Sequence, residues 1–503
     1  MKIYQSASDS EDRSGSSALT AAIFASGMAF VDGTVVNVAT AALQTSFSTT
    51  AGGVQWVVEA YALTLSAFLL IGGIMGDLYG RKRIFIWGNA LFGVSSLFCG
   101  VASTLSMLVI ARAIQGLAAA LLIPGSLALI TSAYAPAKRA RAIGIWSGVT
   151  AMMGAIGPFA GGWAIDHFSW RAAFLINLPM AGLAVFFAWR LHESREMAKP
   201  QSINWIGAIS LAAALAMLTY SLMSAQEHVM VVLPAALASV ALFFVFRRTE
   251  TRARAPLLPA ALLAAPVFVA VNIITFFLYA ALWGTMYFLP IDLIEIHHYS
   301  ASEAGAALAP MILTLFVLSP WAGGLLERYG VRRTLTAGCS IVAVGLAGIS
   351  LPGRDGTYWS TFFIPLLVLG LGMSVCVSPL TTTVMSSAPA DQLGVASGIN
   401  NAVSRVAALL AVAMLGLILS ISFRCHLDLA MHQLRPSEEV RMQVDRQKPM
   451  LASVQYADVA IQHAVTNSFV DAFRAVIICA VGLAIVSATC AWRMLKEETP
   501  SAQ

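Results

Sequence analysis

Apolar residues come in long runs of roughly 20, the length a bilayer-crossing helix needs, and short stretches of Lys, Arg, Pro and Gly divide them. The runs do not alternate with polar residues, which excludes the ~10-residue strands of a transmembrane barrel. Fourteen spans are predicted, starting near Ala18, Val54, Ile84, Leu105, Ala142, Ala172, Ile203, Val229, Val267, Ala304, Thr334, Thr361, Val395 and Phe473. The fold class expected is therefore an all-α polytopic membrane protein. Composition agrees, because a chain 58% hydrophobic and 11% charged, with mean hydropathy +0.78, lies far from the about 25% charge of soluble domains. Disorder, coiled coil and nucleic-acid binding are excluded. Residues 1–16 are polar and Ser-rich, with Asp9, Glu11 and Asp12. They predict a cytoplasmic tail without regular structure rather than a cleavable signal.

Charge sets the orientation. Every second loop is basic: Arg81, Lys82 and Arg83; Lys138, Arg139 and Arg141; Arg190, Arg195 and Lys199; Arg247, Arg248, Arg252 and Arg254; Arg328, Arg332 and Arg333. The short loops between them hold Arg171 and Arg354. Basic loops stay in the cytoplasm, so both termini are expected there and the protein in the cytoplasmic (inner) membrane. The stretch of about 424–470 is expected as one long periplasmic loop, with an amphipathic surface helix or outer cap over Ala452 to Phe469.

A repeat organises the chain. Gly73-Ile-Met-Gly-Asp77-Leu-Tyr79-Gly80-Arg81-Lys82-Arg83 returns as Gly323-Gly-Leu-Leu-Glu327-Arg-Tyr329-Gly330-Val-Arg332-Arg333. Both copies follow a span on the basic side, so the repeat is parallel, a pattern of one large class of secondary transporters. The expected organisation is an N-terminal six-helix half over 17–195, two inserted helices over 200–250, and a C-terminal six-helix half over 262–495.

Further motifs sharpen this. Arg112-Ala-Ile-Gln115-Gly116, with Ala119, lies on one face of the fourth span. The fifth carries Gly154, Gly157, Pro158, Gly161 and Gly162, a stripe that lets another helix approach closely and a proline that bends the span. Trp170-Arg171-x-x-Phe174-x-x-Asn177-x-Pro179 follows and reads as an interface anchor. The first span holds Asp32-Gly-Thr34-Val-Val-Asn37-Val-Ala39, and the thirteenth Gly398-Ile-Asn400-Asn401-x-x-x-Arg405.

Over nearly its whole length the chain resembles the major facilitator superfamily, and within it the fourteen-span drug:proton antiporters of the EmrB/QacA type. In the resemblance, the Asp77 loop looks like motif A, Arg112-Gln115-Gly116 like motif B and the glycine stripe like motif C, the antiporter mark. It departs at Thr40-Ala41, where Leu-Pro is usual, and at Ala407 and Ala408, where glycines often stand. The resemblance implies proton-coupled efflux of hydrophobic or cationic drugs by alternating access. The alternative is a major facilitator carrier of a specific metabolite or organic anion.

An ionisable group inside the bilayer is a functional candidate by default. Asp32, Glu59 and Arg112 are the expected proton-coupling residues, with Asp32 the leading carrier and Arg112, which needs an acceptor, the charge that tunes it; the alternative is a permanent Asp32–Arg112 ion pair that only holds spans one and four together. Glu59, Tyr61, Asn37 and Gln115 are the expected substrate-cavity residues. Asp32 shares a face with Met28, Val36 and Ala39, which reads as a cavity wall. Trp56, Phe276, Phe277, Tyr279, Trp283 and Tyr287 are further candidate lining. Gly73, Asp77, Gly80, Arg81 and Arg83 are expected to form a conformational latch, with Asp77 capping a helix or pairing with an Arg and the bases anchored at headgroups. Asp292, Glu295 and Glu303 read as solvated loop carboxylates. The six Cys and eight His form no metal-ligand spacing, and HExxH, GxSxG and P-loop motifs are missing. No enzyme, metal or cofactor is expected; the proton gradient supplies the energy. The expected partners are a small-molecule substrate, protons and the lipid bilayer, with a periplasmic adaptor only if the host is Gram-negative.

Overall fold

Gly80 and Gly330, the matching glycines of the repeat, take φ of 106° and 75°, a region open to glycine and costly for a residue with a Cβ. Among the described residues they are the only glycines to do so. The same sequence stretch therefore makes the same backbone corner twice. The computed structural model describes residues 2–134, 136–191, 193, 204–224, 229–253, 256–351, 358–388, 393–453, 456 and 458–496. Within them all regular structure is helical.

In order, the helices are α1 (Lys2–Val38), α2 (Thr40–Phe47), α3 (Ala51–Tyr79), α4 (Arg81–Gly100), α5 (Leu105–Ala133), α6 (Pro136–His167), α7 (Trp170–Leu175) and α8 (Asn177–Trp189). There follow α9 (Trp205–Ser224), α10 (Val229–Arg252), α11 (Ala260–Leu263), α12 (Pro266–Glu295), α13 (Ala301–Ala307), α14 (Ala309–Ile349), α15 (Tyr358–Thr361), α16 (Phe363–Ser386), α17 (Leu393–Leu434), α18 (Glu438–Gln447) and α19 (Val459–Met494). The corner at Gly330 divides α14 into two helices, as Gly80 divides α3 from α4. Among the described residues 10 helical segments are long and apolar enough to cross a membrane. Every predicted span start falls in a helix except Ile203, which lies outside the described residues.

Two expectations are corrected. The polar N-terminal segment is helical from Lys2; once the apolar helix is nucleated, each added residue gains a hydrogen bond at little further cost. The expected 424–470 loop is largely helical as well. α17 continues to Leu434, and α18 follows with Ser437 as its N-cap. After the turn Lys448–Ser453, α19 already starts at Val459, capped by Asp458, so no separate surface helix covers Ala452 to Phe469.

Contacts divide the chain into two compact units. Unit 1 is Met1–Val36, Ala60–Leu215 and Val240–Leu257; unit 2 is Asn37–Glu59, Ala216–Ser239 and Leu258–Gln503. The helices α9 and α10 contribute to both. Asn204 donates to Glu250 at 3.0 Å within unit 1, and the Ser221 hydroxyl donates to the Val232 carbonyl at 3.0 Å within unit 2.

In unit 1 the glycines of α6 lie against α1. A Cβ at Gly157 would strike Val31 and Thr34, and one at Gly161 would overlap Val35. In α5, Gly116 does the same for α3, leaving room only for the Tyr61 carbonyl and the Thr64 hydroxyl. The Thr64 hydroxyl donates across this contact to the Ala113 carbonyl at 2.8 Å.

Candidate functional site: a buried ion pair and its amide shell

Close approach at Gly116 carries Tyr61 over Arg112, with the guanidinium carbon 4.3 Å from the ring centroid. Phe174 stands on another side at 5.7 Å. Held between these rings, Arg112 is 1% exposed and Asp32 0%, a burial that only pairing makes tolerable.

The pairing is complete on the acid. Arg112 Nη1 donates to Asp32 Oδ2 at 2.5 Å, while Gln115 Nε2 and Asn177 Nδ2 donate to Oδ1 at 3.1 and 2.7 Å. Gln115 returns its Oε1 to Arg112 Nη1 at 2.7 Å. Behind them the Ser96 hydroxyl accepts from Gln115 and Asn177 at 3.0 and 2.9 Å and donates to the Phe174 carbonyl. α1, α4, α5, α7 and α8 thus meet at one carboxylate, and every member belongs to unit 1. Charge-assisted bonds of this kind are roughly twice as strong as neutral ones.

Asp32 and Arg112, two of the expected coupling residues, are brought together, and Gln115, expected in the substrate cavity, joins them. Asn177 and Ser96 are additions, and Asn177 corrects the interface-anchor reading. Trp170 and Phe174 are buried too, and Arg171 stacks on Trp170 at 4.3 Å. A polar amide among apolar neighbours on a span is the signal that marks Asn177. The expected cavity wall is also corrected: Met28, Val36 and Ala39 are fully buried, so this face of α1 is packed.

Glu59 does not join the cluster. It lies in unit 2 and is 1% exposed, with Gln55 as its polar neighbour and no ion pair among the described residues. Asn37 is buried in unit 2, its carbonyl taking the Thr40 hydroxyl at 3.0 Å. Of the expected substrate-cavity residues, Tyr61 and Gln115 belong to unit 1 and Glu59 and Asn37 to unit 2. Of the candidate aromatics, Trp56 packs on Tyr220 and Phe276 on Phe277, and Tyr287 lines a cavity in unit 2.

Within unit 2, a cavity of about 70 Å³ is lined by Gln44, Gln55, Tyr287, Glu295, Arg424 and Leu451, among others. It is smaller than the roughly 300 Å³ of a drug-sized pocket. Gln55 closes one wall: its Nε2 donates to the Val412 carbonyl of α17 at 2.9 Å, in the notch left by Gly416. Of the second-half acids read as solvated loop carboxylates, Asp292 departs, being buried, whereas Glu303 is exposed and completes a capping box with Ser300.

The stretch around Gly80 is held by Glu193 and Lys82. Glu193 caps α4, accepting the Lys82 and Arg83 amides at 3.0 and 3.1 Å, and its carboxyl fills the space beside Gly80. The Lys82 ammonium donates to the Trp189 and Leu191 carbonyls at 2.8 and 2.5 Å, so it ties the end of α8 and not a headgroup. The side chains of Asp77, Glu327, Lys138, Arg139 and Arg141 lie outside the described residues, as do Arg195, Lys199, Arg254 and Arg354. In unit 2 the matching Arg332 stacks over Trp492 near the end of α19, 3.9 Å from the ring centroid.

Comparison with known proteins adds to this geometry. The sequence profile described as Major Facilitator Superfamily matches residues 22–412. The chain is 34% identical, over 84% of its length and 91% of the other, to the methylenomycin A resistance protein of Bacillus subtilis (strain 168). It is 31% identical, over 78% and 74%, to the tetracenomycin C resistance and export protein of Streptomyces glaucescens. Among solved structures it is similar in fold to a bacterial homolog of the human lysosomal transporter Spinster, with TM-score 0.65 and 14% identity over 97% of this chain and 99% of that one.

Proposed function

The chain belongs to the Major Facilitator Superfamily, and from that premise we propose that it is a multi-pass membrane transporter that exports hydrophobic or cationic drugs in exchange for protons. The resistance and export relatives support drug efflux. The finer reading is the fourteen-span EmrB/QacA type, with two inserted helices and both ends in the cytoplasm. The alternating basic loops and the paired corners at Gly80 and Gly330 support it.

One observation carries the coupling: a carboxylate, fully buried in a membrane helix, whose cation sits on a different helix. A proton reaching Asp32 must displace the Arg112 N–H, and Arg112 returning must expel the proton. Any motion of α1 against α5 thereby converts into proton uptake and release, while Gln115 and Asn177 hold the carboxylate in place for either partner. Moving α1 against a fixed α5 requires the smooth glycine face of α6, which the packing at Gly157 and Gly161 supplies.

The test is counterflow in inverted vesicles under an imposed pH gradient, with lipophilic cations, uncharged drugs, sugars and organic anions as probes. Gradient-driven accumulation of the drugs is expected. Accumulation of organic anions or sugars alone would replace this reading with that of a metabolite carrier.

A further inference from the structure

α12 ends in a corner that folds back on itself. The Asp292 carbonyl takes the amides of Ile296 and His297 at 3.0 and 3.4 Å, and the Tyr299 amide reaches the Leu293 carbonyl at 3.0 Å. His298 completes the reversal in the left-handed region at φ 57°. The corner brings His297 Nε2 to 3.6 Å from Asp292 Oδ2, with side-chain exposures of 9% and 4%. Phe362 closes the far side of the imidazole, edge-on with centroids 5.2 Å apart.

We propose that Asp292 and His297 form a second proton-binding pair, in unit 2 and separate from the Asp32 cluster, loaded from the side of the membrane on which α18 lies. This rests on the proton-coupled reading above. The side follows from the cavity, whose lining includes both Glu295 at the end of α12 and Leu451 in the turn after α18.

The chemistry needs one shared proton. With neither proton bound, the buried pair carries one uncompensated negative charge, which favours uptake of a single proton, and the two groups titrate as a unit. Burial, and then the neighbouring His298, hold the His297 imidazole below its usual value, so at neutral pH it enters as the neutral base. The pair then gains one proton, on the carboxylate or the imidazole, and returns it unchanged. Around it, Glu295 follows on α12, and His298 and Tyr299 lie on the corner. Glu303 of α13 interacts with Tyr299, while the Tyr358 hydroxyl of α15 is committed to the Ala307 carbonyl. From α19, Arg474 pairs with Asp471. Among the described residues no Lys or Arg forms an ion pair with Asp292.

The test combines pH-difference infrared spectroscopy in nanodiscs with ethidium efflux from vesicles, for wild type, Asp292→Asn and His297→Gln. Spectroscopy should show a carboxylic-acid band that titrates in wild type, is lost in Asp292→Asn and changes midpoint in His297→Gln. Efflux by both variants should depend less steeply on the pH gradient. A titrating band that survives unchanged in Asp292→Asn overturns the site, and a lost band with unchanged gradient dependence overturns its role in coupling. Should the Asn variant fold poorly, an unshifted midpoint in His297→Gln is sufficient to reject the pair. Wild-type protein that titrates here without gradient-driven efflux leaves the proton site standing and removes the coupling reading instead.

Discussion

The Glu193 carboxylate sits on the first turn of the helix that begins at Arg81, taking the Lys82 amide at 3.0 Å while the Lys82 ammonium ties down the carbonyls that precede Glu193. A helix N-terminus and a helix C-terminus thus satisfy each other through two side chains, as their dipoles favour. Glu193→Ala removes a cap worth roughly 0.5–2 kcal/mol. Limited trypsin digestion should then cut faster at Arg81, Lys82 and Arg83; an unchanged cutting rate would show that the clasp is incidental.

Asp32→Asn keeps the shape of the acceptor but removes its charge and its capacity to carry a proton. Gradient-driven efflux should be abolished, while substrate exchange at equal pH on both sides persists. Arg112→Ala leaves a buried carboxylate without its cation and should destabilise by about 3–5 kcal/mol, visible as reduced thermal stability. An Asn variant that still concentrates substrate with normal pH dependence would remove Asp32 from the coupling step and make Glu59 the candidate.

Asn177→Leu separates positioning from charge. It deletes one donor to Asp32 and one to Ser96, with a buried acceptor left short at a cost of about 1–3 kcal/mol. The pH profile of efflux should shift while substrate affinity holds. A fall in affinity alone, with the profile intact, would instead make Asn177 a substrate contact.

Gly161→Ala places a methyl where Val35 already stands, and overpacking of this kind costs about 1–3 kcal/mol. Adding Val35→Ala should restore thermal stability and transport. Failure of the double variant to recover either would mean that the stripe serves something other than contact with α1.

Lys448 gives a pH signature away from the membrane helices. Burial pulls its ammonium down, but the hydrogen bonds it donates to Asp428 of α17 and Asp445 of α18 outweigh this and hold the group above its ordinary value. A raised value in the folded state means that this stabilisation is present below the unfolded value and lost as pH climbs through the folded one. Amide exchange of α18, corrected for its intrinsic rate, should therefore rise at strongly alkaline pH, and Lys448→Met should show the rise already at neutral pH. Identical protection in the variant would show that the clip contributes nothing.

Much of this architecture is legible in the order of residues. Long apolar runs must become helices, because hydrocarbon offers backbone groups no other partner. The Tyr-Gly stretch repeated at Tyr79-Gly80 and Tyr329-Gly330 makes two equal corners, because φ above zero is a local property of glycine. That Arg112 needed an acceptor also followed locally, from the cost of charge in a bilayer.

The sequence ranked Asp32 ahead of Glu59 as the partner of Arg112 but did not fix the rest of the cluster. Asp32 and Glu59 are both acids on apolar helices, yet one meets Arg112 and the other, among the described residues, has no ion-pair partner. The outcome depends on which face each helix turns inward and on how closely Gly116 and Gly161 let α3 and α1 approach their neighbours. The same holds for Asn177, which joins Asp32 across 145 positions of chain, and for Asp292, whose burial depends on the corner after α12 and the packing of Phe362. Hydropathy and spacing are set within a few residues, so the sequence alone determined the membrane class, the repeat and the need for a buried counter-charge. Distances between side chains far apart in the chain are set by helix packing, so only the tertiary structure decided which carboxylate, which amide and which capping acid answer that need.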